Sequence, residues 1–358
     1  MQSHSRPGRA KRGARVGMMA RSVANSVLRK NSVALHYSAL AFAACLTTLP
    51  ECIAATSVPD FPARPVRIVA ATPPGGAADV NARRLADRLS RTWQQPVVVQ
   101  NIAGGAGNIA AAAVAEATPN GHTLLFAAHP VFAVNPLLYD KLPFNADRDF
   151  TPVVLLSKMP HVLLANIALP AATVAELIAL AKARPGSLNF ASGGTGTSIH
   201  LAGELLIDAA GIDIRHVPYR GGAPAVTALI GGEVQLLFDA TATAIGHLRG
   251  GRVRGLAIAS RQRSAVLPDI PTFDEGGVRG FESVIAHGIL VPVKTPDATV
   301  NTLNRAINAT LHDPDYQKQM TEFGAQLIGG AGKELRAFLA AERTKWGRVI
   351  ERRGIKAN

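Results

Sequence analysis

Residues 70–90 read "AATPPGGAADVNARRLADRLS": a strand-like run stops at Pro73-Pro74-Gly75-Gly76, and a helical pattern starts at once from Ala77. A strand that turns into a helix through a glycine pair is the corner of a βα unit in a parallel sheet. The first turn of that helix offers unpaired N–H groups and a positive dipole end, so a phosphate, a dinucleotide or a carboxylate could occupy the corner. The corner recurs three times, in "QNIAGGAGNIAAAAVAEA" (100–117), "FASGGTGTSIHLAGELL" (190–206) and "VPYRGGAPAVTALIGG" (217–232). In a parallel sheet such loops share one edge, so two pairs of them predict a crevice lined by main chain. Glycine there removes Cβ bulk and lets a ligand approach the backbone donors.

The rest of the chain supports an α/β reading. "VRIVAA", "PVVVQN", "HTLLFAA", "HVLLAN", "LNFAS", "IRHVPY", "VQLLFD" and "VRGLAIA" read as strands, with helices at 77–92, 109–117, 174–184, 199–210 and 224–230 between them. "TVAELIALAKARPG" carries a full set of boundary signals, with Thr173 as N-cap, Glu176 as its capping-box partner and Pro185-Gly186 as the stop. The pattern restarts near "SKMPHVLLAN", which predicts two lobes rather than one open sheet. "GFESVIAHGILVPVKTP" resumes a buried strand, and the amphipathic helices from Val300 return the chain to the first lobe. The expected division is 56–158 plus 282–358 for lobe 1 and 159–281 for lobe 2.

The formal charge of +13 suggests nucleic acid until its position is considered. Eight of the bases lie in residues 1–30 with no acid among them; beyond residue 55 the chain keeps 30 bases against 24 acids, a mild +6. Residues 1–55 read as a signal peptide: a basic segment from Arg6 to Lys30, the apolar "SVALHYSALAFAACLTTLP", and small residues that set cleavage after Ala55. The long basic segment predicts a true start at Met18 or Met19. A basic arm for nucleic acid and a retained anchor are the competing readings; His36 and Pro50 weigh against a stable span. "FAAC" ending at Cys45 faintly resembles a lipidation site, with Phe42 in place of the usual Leu. Cys45 and Cys52, both inside the segment, are the only cysteines, so an exported chain would have no disulfide or thiol chemistry.

Several chemistries are excluded by pattern. No Lys-Ser or Lys-Thr follows the glycines, and "GGAGKEL" (329–335) lacks the spacing of a nucleoside triphosphate loop. "GAGNIA" (105–110) matches the dinucleotide fingerprint, but "LLFAAHP" stands where its acidic residue belongs. There is no G-x-S-x-G elbow, and Ser198 beside His200 has no visible orienting carboxylate, so Ser198 is expected to cap a helix or line the pocket. His129, His200, His216, His247 and His287 lack metal-ligand spacing. No catalytic residue, metal or cofactor is expected.

Seven blocks in order, from "PVRIVAATPPGGAADVNARRLADRLS" through "QPVVVQNIAGGAGNIAAAAVA", "PNGHTLLFAAH", "NPLLYDKLPFNADRDFTPVVLL", "LNFASGGTGTSIHLAGELL" and "HVPYRGGAPAVTALIGGEVQLLFD" to "RSAVLPDIPTFDEGG", resemble the Bug (Bordetella uptake gene) family, over about residues 60–357. These are periplasmic receptors of tripartite tricarboxylate transporters. The resemblance implies a type II periplasmic-binding-protein fold, two α/β lobes closing on a small carboxylated solute, without catalysis. It implies a ligand set of Thr72, Pro74, Gly75, Gly76, Ala77 and Asp79 in the first loop, Gly105, Gly107 and Asn108 in the second, and His129 on the pocket floor. Thr195, Thr197 and Ser198 follow in the third loop, Tyr219, Gly221 and Gly222 in the fourth, and Asp239 at the rim. Asp79 either satisfies backbone donors, locks the second loop or meets a ligand amine. Arg220 reads as solvated surface, or as a counter-ion; Tyr219 stacks on the ligand or fills the crossover.

The chain departs from the family where Ala71 and Thr72 replace a Pro and an aromatic, His129 replaces a frequent Ser, Ala286 replaces a Trp, and "ATAT" follows Asp239. These changes alter the pocket walls. The expected partners are a small organic carboxylate and the membrane permease subunits, with no nucleic acid; the expected state is a monomer in the periplasm. A periplasmic sensor presenting the same solute to a signalling partner is the alternative.

Overall fold

Val66–Ala70 (β1) is rich in β-branched residues and buried along nearly its whole length, as a central parallel strand must be. The computed structural model describes residues 61–356 and sets β1 between Val97–Asn101 (β2) and Thr123–Ala128 (β3), both parallel to it. The expected signal peptide and its cleavage point after Ala55 lie outside the described residues. Helix Ala77–Trp93 (α1) connects β1 to β2 and buries Ala82, Leu85, Ala86 and Leu89, an i, i+3, i+4, i+7 stripe, on the sheet. Each fully buried leucine contributes about 1.5–3 kcal/mol of transfer free energy. Asn108–Ala115 (α2) follows β2, and two short helices, Pro130–Ala133 (α3) and Asn135–Leu138 (α4), follow β3.

The chain then enters a 17-residue strand, Phe150–Asn166 (β4). The expected strand "HVLLAN" is only its last part. Pro152 and Pro160 suggest a break in sequence, but Pro152 sits at a register shift and Pro160 pairs with the first residue of a later strand, so neither interrupts a regular ladder. β4 therefore belongs to both halves of the sheet.

In the second half, Val174–Ala183 (α5) leads to Asn189–Ser192 (β5), Ser198–Ala210 (α6), Arg215–Pro218 (β6), Gly222–Gly231 (α7), Leu236–Ala240 (β7), Thr241–Arg249 (α8) and Val253–Ile258 (β8). Thr173 caps α5 through its hydroxyl, and Glu176 reaches back to the Ala172 N–H. The chain returns through Val284–Pro292 (β9), Asp297–Leu311 (α9), Pro314–Glu322 (α10), Gln326–Gly329 (β10) and Gly332–Arg353 (α11). The strand order is β2-β1-β3-β9-β4-β7-β5-β6, with β10 and β8 also pairing with β4. His161 marks the handover: its N–H donates to Ser283 O (3.0 Å), at the entry to β9, and its carbonyl accepts from Ala259 N (2.8 Å), just past β8.

β5 and β6 are parallel to each other, β5 is parallel to β7, and β7 is antiparallel to β4. β3 is antiparallel to β9, which is antiparallel to β4. The C-terminal ends of β1, β2 and β3 thus point toward those of β5, β6 and β7. That direction sets four glycine-rich loops around one gap.

Candidate functional site

The first two loops are tied together by Asp79. This buried carboxylate accepts from Gly75 N (2.9 Å) and Arg83 Nε (3.0 Å) on Oδ2 and from Asn101 Nδ2 (2.8 Å) on Oδ1; the same amide donates to Thr72 O (3.2 Å). Burial alone would raise its pKa, but the hydrogen bonds from Arg83, Gly75 and Asn101 hold it below the ordinary aspartate value. Asp79 both satisfies the backbone donor of Gly75 and ties the first loop to Asn101 at the end of β2. Its Arg83 partner offsets its charge beside the corner.

This changes what the first loop can offer. Gly75 N–H is already spent on Asp79, whereas the N-cap Gly76 has no side-chain cap above it, so the opening turn of α1 keeps free donors. Pro74, Gly75 and Gly76 are exposed; Thr72 and Ala77 are half-buried. A Cβ at Gly75 or Gly76 would meet nothing within 4 Å. Gly75 has φ +87°, but Gly76 has φ −80°, a conformation open to any residue.

The second loop divides differently. Gly105 is exposed, while Gly107 is buried at φ +89° and its Cβ would lie 2.7 Å from Val131 Cγ2. Asn108 is also buried, its Oδ1 accepting from Asn135 Nδ2 (2.6 Å), which also donates to Ala106 O (3.1 Å). Asn135 on α4 thus fixes the loop. His129, after β3, is 2 % exposed; its Nδ1 accepts from Ala286 N (3.3 Å), and burial holds its pKa below the ordinary value. Its Nε2 stands 3.3 Å from Glu342 Oε2.

In the third loop Thr197, not Ser198, caps α6: its hydroxyl accepts from His200 N (3.3 Å) and donates to Gly194 O (2.8 Å). Ser198 Oγ is buried 3.2 Å from His161 Nε2, whose Nδ1 meets Ser283 Oγ (3.0 Å). His161 is fully buried, and desolvation lowers its pKa to about 3, so it is a neutral strut. His200 does have a carboxylate beside it, Glu204 Oε1 at 3.5 Å, but its Nδ1 accepts from Gly196 N (3.2 Å) and Ser198 is engaged elsewhere. No serine–histidine pair arises there. Thr195 is half-buried at the loop tip.

The third and fourth loops touch. Gly221 N donates to Gly193 O (3.3 Å) and Tyr219 N to Ser192 O (2.9 Å). The Tyr219 hydroxyl donates to Glu233 Oε2 (3.3 Å), past the far end of α7, and the half-buried ring packs against the core cluster that includes Ala225 and Leu229 of that helix. Arg220 is exposed and makes no ion pair among the described residues. Gly221 and Gly222 have nothing within 4 Å of a Cβ, and the N-cap Gly221 lacks a side-chain cap above it.

Asp239, expected at the rim, stands next to the C-terminal end of β7. It is 5 % exposed within β7, with Oδ1 accepting from Ala240 N (2.8 Å) and Oδ2 unpartnered among the described residues. Burial raises its pKa to about 6.

No hydrogen bond among the described residues joins the first two loops to the last two. Beside them, Leu138 of α4 stands 2.8 Å from the Cβ position of Gly196. Four glycines, 75, 76, 221 and 222, face open space with uncapped helix starts behind two of them. Such a gap can receive a small anion through main-chain donors. Asn101, Asn135 and His161, absent from the expected set, are what holds its walls.

The sequence pattern of the family described as "Tripartite tricarboxylate transporter family receptor" matches residues 81–355. Protein BugT of Bordetella pertussis is 35 % identical over 304 residues, 85 % of this chain and 93 % of its own. Among solved structures, Rpa4515 of R. palustris with adipate is 33 % identical with a TM-score of 0.79, covering 83 % of this chain and 99 % of its own. MatC (Rpa3494) from Rhodopseudomonas palustris with bound malate is 33 % identical with a TM-score of 0.74, covering 81 % of this chain and all of its own (100 %).

Proposed function

Because the chain belongs to the tripartite tricarboxylate transporter receptor family, with its type II periplasmic-binding-protein fold, we propose that it captures a small dicarboxylate in the periplasm and delivers it to the permease subunits of such a transporter. One observation carries the ligand-binding part: Gly76 and Gly222, at the starts of α1 and α7, leave free N–H donors facing open space from the two halves of the fold. A carboxylate gripped this way needs no side-chain cation, and Arg83, the nearby base, already serves Asp79. The related proteins with adipate and malate support a linear C4–C6 dicarboxylate as cargo.

In this reading residues 56–158 plus 282–358 and residues 159–281 are lobes that close on the cargo, bending where β4 and β9 pass between them. The exported monomer lacks residues 1–55. Of the expected ligand set, Gly76, Ala77, Gly105, Thr195 and Gly222 contact the cargo; Asp79, Gly107, Asn108, Thr197, Ser198 and Tyr219 shape the loops. The test is thermal unfolding of the mature chain against a panel of dicarboxylates, amino acids and aromatic acids. At 100 times Kd a cargo adds about 2.7 kcal/mol of stability. Stabilisation by malate or adipate is expected, and stabilisation by none of the dicarboxylates overturns the reading.

A further inference from the structure

A crevice of about 640 Å³ is lined by none of the four glycine-rich loops. Its floor is the hinge itself, Lys158 and Pro160 on β4 with Glu282 and Val284 at the entry to β9. One wall is the face of α11 carrying Phe338, Glu342 and Lys345, an i, i+4, i+7 row. The loop 260–266 after β8 and the segment 321–326, from the end of α10 to the first residue of β10, line it from the two sheet halves. Ligand sites favour such places, between two parts of a fold, at volumes of about 300–1,000 Å³.

The charges in this crevice are unequal in availability. Lys345 Nζ is held by Glu342 Oε1 (2.9 Å), and Glu342 also accepts from Trp346 Nε1 (2.7 Å). Arg261 is paired with Glu282, and Arg263 binds Glu275 through both carboxylate oxygens. Lys158 has no acidic partner among the described residues; its ammonium lies 4.5 Å from the centroid of the Phe338 ring. A cation held on an aromatic face, half-buried beside Pro160 and Val284, retains most of its capacity to bind an anion. The Arg261, Arg263 and Lys345 charges are each offset by a carboxylate, which leaves Lys158 as the lysine or arginine of the crevice without an acidic partner among the described residues.

We propose that this crevice is a second binding site, taking a small carboxylate with an apolar body: the carboxylate meets Lys158 and the body lies against Phe338, Pro160 and Val284. An occupant would touch 260–266 on one side and α11 on the other, so it would bridge the two sheet halves. The chemistry is open to a second copy of an apolar cargo or to a different acid, and the test separates these from the glycine-loop site.

Benzoate is the probe, titrated into the mature chain by calorimetry and by ¹H–¹⁵N NMR. Saturable binding is expected, with amide shifts in 260–266 and 321–326 and weakening as sodium chloride is raised. Lys158→Met keeps the stem on Phe338 and removes the charge; it should weaken binding about tenfold or more, while Gly76→Val leaves it unchanged. Absence of saturable binding overturns the proposal. So does salt-independent affinity in the unaltered chain, retention of affinity in Lys158→Met, or benzoate shifts confined to the glycine loops.

Discussion

The two glycines of the opening corner differ in what they tolerate. Gly75 sits at φ +87°, where a branched side chain is strained whatever space surrounds it; Gly76 sits at φ −80° with nothing within 4 Å of its Cβ position. Gly76→Val is therefore expected to fold with a melting temperature near that of the parent and to lose ligand-induced stabilisation. A variant that keeps the full shift would remove the first loop from the site. Gly107→Ala is the structural counterpart: at φ +89° and 2.7 Å from Val131, it should lower stability by about 1–3 kcal/mol, read by denaturant unfolding. Asp239 gives a pH prediction. A carboxyl raised from 3.8 to about 6 on folding favours the folded state while protonated; that contribution is complete below 3.8 and is lost as pH rises through about 6. Asp239→Asn removes the cost of ionising a buried group, so it should raise stability at about pH 8 by up to about 3 kcal/mol and change little near pH 3.5. Equal effects at both pH values would contradict this account.

Among the elements, α11 reaches furthest. Its Trp346 is fully buried with Val134 and Leu138 from the first half and Leu201 from the second, and Arg353 Nε meets Glu204 Oε2 on α6 at 2.9 Å. Trp346→Ala should cost about 3–5 kcal/mol, measured by chemical denaturation. Gly332 starts the helix so close to β4 that a Cβ would overlap Pro152 O, and backbone cannot yield as a side chain can. The sequence made the βα corners readable because their signals are local: β-branched runs, glycine pairs, and Thr173 three residues before Glu176. It did not show that β4 runs unbroken past two prolines, because that depends on register shifts at Val153 and Leu156 and on pairing with a strand far along the chain. The site divides in the same way. The four loops were visible, but the pairs Asp79–Asn101 and Asn108–Asn135 join residues 22 and 27 positions apart, and no local pattern announces them. Tyr219 and Asp239 were assigned by position in the family pattern, which does not reveal the Tyr219–Glu233 hydrogen bond or the burial of Asp239.

For the whole molecule, the two loop pairs are each stitched internally and leave a gap between them. A cargo that bonds to both sides supplies the missing link, so closure follows from binding free energy that favours the closed state. Small-angle X-ray scattering of the mature chain should show a smaller radius of gyration with saturating malate or adipate than without. The central claim is narrower than closure: main-chain donors at two helix starts grip the carboxylates. The most direct measurement is a ¹H–¹⁵N NMR titration with the dicarboxylate that stabilises the chain most. Large, saturating downfield shifts of the Gly76, Ala77 and Gly222 amide protons are predicted, all with one dissociation constant. Tight binding that leaves those three amides unmoved would contradict the account.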